Sequence, residues 1–140
     1  MNRQQQLKAK ELLQIAGLRL TNGRINILAA LLESGSPITQ RHISKKLAGR
    51  APNKVTVYRT LERLIKAGIV HKAFLQERTW HYEPAHNCTE TQCHPHFTCT
   101  NCESTHCLPD ITFAVTQNPH KGFVIHHQRV QLDGLCPKCS

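Results

Sequence analysis

The chain has 140 residues, 39% of them hydrophobic and 19% charged, with a formal net charge of +9. That length suits one or two small domains with a real core and excludes a large catalytic barrel, while the hydrophobic content excludes a disordered chain. The longest apolar run, residues 27–32, falls far short of the ~20 residues that span a bilayer. No basic, then apolar, then small-residue start marks a signal peptide, so a cytoplasmic protein without a membrane partner is expected.

The elements read in chain order as follows. Leu7, Leu12, Leu13 and Ile15 are spaced for a helix over residues 3–16, stopped at Gly17. Thr21 serves as N-cap for a second helix to about residue 33, with Ile25, Leu28, Ala29 and Leu32 on one face. After the loop Ser34-Gly-Ser-Pro37, Thr39 caps a short third helix through Leu47, burying Ile43 and Leu47. Asn53 caps a fourth helix, residues 54–67, ended by Gly68. Residues 69–74 and 79–83 read as two strands around a polar turn. Helices followed by a β-hairpin is the order of a winged helix-turn-helix, and also of a generic α+β domain.

Charge and cysteine divide the chain. Residues 1–85 hold 15 Lys and Arg against 5 Asp and Glu, whereas residues 86–140 hold 3 against 4. All seven cysteines lie between Cys88 and Cys139. A basic first half suits a polyanion, most simply double-stranded DNA, although a basic face can be only solvated. In the fourth helix Val57, Leu61, Leu64 and Ile65 form the inward stripe, and Thr56, Arg59 and Arg63 fall on the opposite side. Tyr58 stands near the N-terminal end, the end that enters a major groove. Arginine reads guanine or holds phosphate there, and tyrosine touches a thymine methyl or a phosphate. The plainer reading leaves Tyr58 half-buried and the arginines solvated.

Metal chemistry dominates the second half. Cys99-Thr-Asn-Cys102 and Cys136-Pro-Lys-Cys139 are two Cys-x-x-Cys pairs separated by 33 residues, and together they can hold one structural zinc tetrahedrally. Disulfides or a redox pair are the rival readings, without an oxidising compartment or a thioredoxin-like βαβ pattern to favour them. Four protein ligands leave no open position for catalysis. In His94-Pro-His96-Phe-Thr-Cys99, a strand would point His94 and His96 to one face and Cys99 to the other, so one strand could serve two metals. Cys88 and Cys93 lie close by in sequence, and Glu83, His86 and His71 are further candidate ligands. Imidazole suits zinc and iron alike. Cys107 is left over, and is expected to be a small buried hydrophobe. No acid/base pair or nucleophile constellation points to an enzyme or to a small-molecule substrate.

These residues resemble the ferric uptake regulator family of bacterial metal-dependent repressors over nearly the whole chain. The resemblance is carried by Gly17-Leu-Arg-Leu-Thr21 with Arg24, by Val55-Thr-Val-Tyr-Arg-Thr-Leu61, and by Gly68-Ile-Val-His71. It continues through Tyr82-Glu-Pro, His94-x-His96-x-x-Cys99-x-x-Cys102 and Gly134-Leu-Cys-Pro-Lys-Cys139. It implies an α+β chain with a winged helix-turn-helix DNA-binding domain at residues 1–84. A small α/β dimerisation domain with a structural four-cysteine zinc site follows at residues 85–140. It further implies a homodimer on a palindromic operator, with Tyr58 and Arg59 in the major groove and Arg19 approaching the minor groove.

The resemblance also bears on the sensed metal. Iron- and peroxide-sensing members supply a histidine where this chain has Pro37, whereas the zinc-sensing branch uses a ligand at the place of His71. That branch's usual cysteine position is Ala85, so His86 or Cys88 would substitute, while Glu83 matches the carboxylate of the iron branch. A third metal site of some members is degraded here, with Cys93 and Pro95 at its ligand positions. The expectation is a zinc-responsive repressor with His71, Cys88, His94 and His96 around the regulatory metal, and Glu83, His86 and Cys93 as alternatives. Rival readings are an iron(II)- or manganese(II)-loaded, iron- or peroxide-responsive repressor, a zinc-buffering metallochaperone, and a thiol oxidoreductase.

Overall fold

The computed structural model describes residues 2–50, 52–85, 94–116 and 120–140. It divides into two compact units, residues 1–85 and 86–140. The first unit contains α1 (Arg3–Ile15), α2 (Asn22–Ser34), β1 (Ile38–Thr39), α3 (Gln40–Lys46), α4 (Lys54–Lys66), β2 (Val70–Gln76) and β3 (Thr79–Pro84).

Each helix starts where a short polar side chain takes up an orphan amide. Asn2 Oδ1 accepts from Gln4 N at 3.0 Å, and Thr21 Oγ1 from Arg24 N at 3.3 Å. Thr39 Oγ1 accepts from His42 N at 3.2 Å, and Asn53 Oδ1 from Thr56 N at 2.9 Å. Such caps are worth about 1 kcal/mol each. Gly68, at φ +76°, ends α4 in the left-handed region that side chains avoid.

α2 is the hub of this unit. Ile25, Ile27, Leu28, Ala29, Ala30 and Leu31 are all buried, more than the single stripe its spacing suggests, and Leu32 is only partly so. The reason is that α1, α3, α4 and β3 all pack around it. α1 departs from expectation in the other direction. Ala9 and Leu13 make its buried face, Leu12 packs partly, and Leu7 and Ile15 stay exposed at 56% and 77%. Residues four apart share a helix face, and the face that carries Ala9 and Leu13 is the one turned to the cluster.

The wing is a three-stranded sheet in the order β1-β3-β2. The two-residue β1, unforeseen in the sequence, pairs Ile38 with Tyr82 and Thr39 with His81, so Thr39 both ends a strand and caps α3. Gln76 pairs with Thr79 across β2 and β3, leaving Glu77 and Arg78 as a two-residue turn at φ +48° and +63°. That is the backbone for which Asn-Gly is preferred.

The second unit contains β4 (His96–Cys99), β5 (Thr105–Cys107) and β6 (Gln131–Gly134), ordered β5-β4-β6. β4 pairs antiparallel with β5 and parallel with β6. Its described residues form no helix. The main apolar cluster lies wholly between Ala9 and Tyr82. Among the described residues of the second unit, the buried hydrophobic side chains are Cys99 and Cys136.

Two variants probe this fold. Replacing Glu77 with Asn and Arg78 with Gly together relieves left-handed strain and should raise stability by about 1 kcal/mol in urea melts. Leu28→Ala should lower it by about 2–5 kcal/mol. A double turn variant less stable than wild type contradicts the strain argument.

Candidate functional site

The exposed face of α4 follows from its buried one. Val57, Leu61 and Leu64 are fully buried with Thr60 beside them, which turns Thr56, Arg59 and Arg63 to solvent. Tyr58, 42% exposed, stands in the first turns of the helix. Burial foremost, and then Tyr58 and Glu62, push the Tyr82 phenol up to about 12, so Tyr82 is a neutral wing-core group at any working pH. Arg24 Nη1 donates to the Arg19 carbonyl at 2.9 Å, which ties the segment carrying Arg19 to the start of α2.

The four thiols of the two Cys-x-x-Cys pairs converge. Cys99, Cys102, Cys136 and Cys139 place their sulfurs within 4.8 Å of one another, and all four are free thiols. Cys102 and Cys136 sulfurs are 3.7 Å apart, far beyond disulfide bonding distance. It is also the ~3.8 Å expected between sulfurs of a tetrahedron with ~2.3 Å metal–sulfur bonds. The disulfide alternative does not describe these residues. Gly134 pairs with Cys99 across β4 and β6, and a Cβ there would lie 3.3 Å from Phe97 Cε2, so the glycine permits the close approach that delivers Cys136.

The cluster is prepared to hold a cation. Amide N–H groups of Cys102 and Cys136 donate to Cys99 Sγ at 3.5 and 3.4 Å, and these two donors, in that order, hold its thiol down to about 6. The Ser104 hydroxyl, 3.0 Å from Cys102 Sγ, lowers that thiol too. Cys139 differs: the Asn101 amide donates to it and lowers its pKa, but the Cys136 sulfur, burial and the other sulfurs outweigh that and push it up to about 11. Four sulfur donors in this geometry fit structural zinc, which would supply cross-linking and no open coordination position.

A second cluster lies in the same unit. The His94 and His96 rings are 4.6 Å apart, and His96 is 1% exposed. Cys107 joins them, with one donor atom from each of the three within 4.8 Å of the others. The register explains this, because His96 and Cys107 are direct partners across β4 and β5. Cys107 therefore does not fit the expectation of an inert hydrophobe, for it stands with two imidazoles. The signal was present in the sequence at long range: a Cys-x-x-Cys turn closing a hairpin sets residue 107 opposite residue 96. Cys99 belongs to the other cluster, so β4 contributes donors to both.

The first unit holds a further pair of donors. His71 and Glu83 are cross-strand partners in β2 and β3, and His71 Nε2 donates to Glu83 Oε1 at 2.7 Å with both side chains largely buried. His86, Cys88 and Cys93 lie outside the described residues. Pro37 is buried and offers no ligand atom.

A winged helix-turn-helix unit followed by a cysteine-clamped unit with a second His/Cys cluster defines a class: winged-helix proteins with built-in clusters of metal-ligating side chains. The ferric uptake regulator family model matches residues 15–133. The peroxide operon regulator of Bacillus subtilis (strain 168) is 30% identical over 138 residues, 95% of this chain and 92% of that protein. The chain belongs to the ferric uptake regulator family, and is a metal-responsive transcriptional regulator of it. The fold agrees. The structure of a zinc uptake regulator complexed with zinc and DNA matches with a TM-score of 0.68 at 23% identity, over 97% of this chain and 93% of that one. Holo XcZur matches at 0.65 and 25% identity, over 95% and 94%.

The thiol values give a pH prediction. Cys99, held down by its two amide donors, ionises more readily than Cys139, which must lose a proton to bind. Zinc affinity at the four-cysteine cluster should therefore fall as pH falls, and more steeply below about 6, where Cys99 also becomes protonated. Chelator competition across pH measures this, and a flat profile contradicts it.

Proposed function

We propose that the protein is a zinc-responsive transcriptional repressor that binds a palindromic operator as a cytoplasmic homodimer. The observation that carries this reading is the His94–His96–Cys107 cluster, a second donor set distinct from the four-cysteine clamp. A regulator needs one metal for folding and another whose occupancy can change.

In this reading Thr56, Tyr58, Arg59 and Arg63 of α4 face the major groove. Arg19 approaches the minor groove, and Arg24 both meets the backbone and holds Arg19 in place. The regulatory metal takes His94, His96 and Cys88 from the second unit and His71 from the first, with Glu83, His86 and Cys93 as alternative donors. An ion holding ligands from both units fixes the recognition helix relative to the dimerisation unit, and therefore the spacing of two such helices on a duplex. A ~100-fold preference for the clamped state supplies roughly 2.7 kcal/mol of coupling. Exposed apolar side chains of the second unit, among them Phe113, Phe123 and Val124, suit burial against a second copy.

Zinc is favoured by the nitrogen and sulfur donors and by Pro37 standing where iron- and peroxide-sensing members have histidine. A second reading, an iron(II)- or manganese(II)-loaded peroxide-responsive repressor, is supported by the buried Glu83 carboxylate and by the similarity to the Bacillus subtilis peroxide operon regulator.

Two variants test the proposal in gel shifts on protein that retains its structural zinc, with zinc, iron(II) and manganese(II) added separately. His96→Ala should lower zinc-dependent operator affinity at least ~10-fold while sedimentation still shows the dimer. Arg59→Ala should weaken binding by about 1–3 kcal/mol. Operator binding by His96→Ala that matches wild type across a zinc titration overturns the sensor assignment, and a response to iron(II) alone favours the second reading.

A further inference from the structure

We propose that Cys107 is a direct ligand of the regulatory metal and the residue that sets which metal is sensed, favouring thiolate-accepting ions such as zinc, cobalt(II) and cadmium over manganese(II) and iron(II). The inference rests on the reading of His94 and His96 as regulatory ligands.

The placement comes from backbone pairing. β4 and β5 run antiparallel with His96 opposite Cys107, Phe97 opposite His106 and Thr98 opposite Thr105. Directly opposed residues share a face, so Cys107 shares the face of His96 while His106 shares that of Phe97, whose ring it contacts at 6.4 Å between centroids. The turn that fixes this register is the one that builds the structural clamp, with Cys99 N donating to Ser104 O at 2.9 Å and Glu103 N to Cys99 O at 3.0 Å. The structural cluster thus aims Cys107 at the imidazoles.

The separation suits a metal. Donors of a tetrahedral site with bonds of ~2.0–2.3 Å stand about 3.3–3.8 Å apart. The three donor atoms here lie within 4.8 Å of one another, so an ion needs only a small inward movement. Cys107 is partly buried and belongs to no other sulfur cluster among the described residues.

The chemistry then sets the preference. Manganese(II) and iron(II) sit low in the order of divalent affinities and are best served by oxygen donors, while a thiolate between two imidazoles suits zinc and its softer analogues. A carboxylate at the same position would remove that bias without changing the charge of the ligand set.

The test uses full-length dimer carrying its structural zinc, with cobalt(II) added to the second site. Wild type should show a thiolate-to-cobalt charge-transfer absorption that falls in Cys107→Ser, with zinc affinity lowered at least ~10-fold. Cys107→Asp should keep a metal-dependent response but reduce the ratio of zinc to manganese(II) affinity at least ~100-fold. Structural zinc content confirms folding, and if Cys107→Ser fails that check the Cys107→Asp metal ranking decides. Unchanged absorption in a folded Cys107→Ser, or an unchanged ranking in Cys107→Asp, overturns the inference. If the absorption behaves as expected but no metal alters operator binding by wild type, the ligand assignment stands and the repressor reading fails.

Discussion

The second unit is organised around four converging thiols, for its described residues bury little else that is apolar. The buried hydrophobic side chains among those described residues are Cys99, at the end of β4, and Cys136, just beyond β6, and both are cysteines of the cluster. Strands of three or four residues are not stable alone, and a small unit without a core needs a metal, a disulfide or a partner. Here the strands are held where β4 and β6 pair in parallel and their cysteines meet, with two backbone amides trained on Cys99. Binding free energy of a structural metal is folding free energy in such a case.

The same clamp organises the rest of the site. Cys99 ends β4 and His96 begins it, so the strand that carries one cluster at its end carries part of the other at its start. The turn between Cys99 and Ser104 closes the hairpin that sets Cys107 against His96. The first unit is built by different physics. Its core is a continuous apolar cluster around α2, so α4 is held without a metal and can present a preformed basic face. In the proposed reading, a regulator divided in this way can lose its second metal without losing either fold, as reversible sensing requires.

Much of this was legible in the residues. Thr21, Thr39 and Asn53 marked helix starts, Gly68 marked a stop, and the buried stripe of α4 followed from its spacing. The two Cys-x-x-Cys pairs announced their cluster because thiolate pairs at that spacing have few other uses. What escaped was decided by tertiary context. β1 is too short to show a period. α2 is buried on more than one face because four elements surround it, and Leu7 and Ile15 look like core residues until Ala9 and Leu13 take the contact. Cys107 carried no local signal, since its role comes from a register set by residues on either side of a turn.

In the proposed reading, regulatory metal and operator stabilise one and the same state of the dimer. Linkage then requires reciprocity: whatever factor the metal adds to DNA affinity, DNA must add to metal affinity. Calorimetric zinc titration of the second site, with structural zinc already in place, should show tighter binding when operator is present, by the same factor that zinc tightens DNA binding. Equal zinc affinity with and without operator would contradict the account.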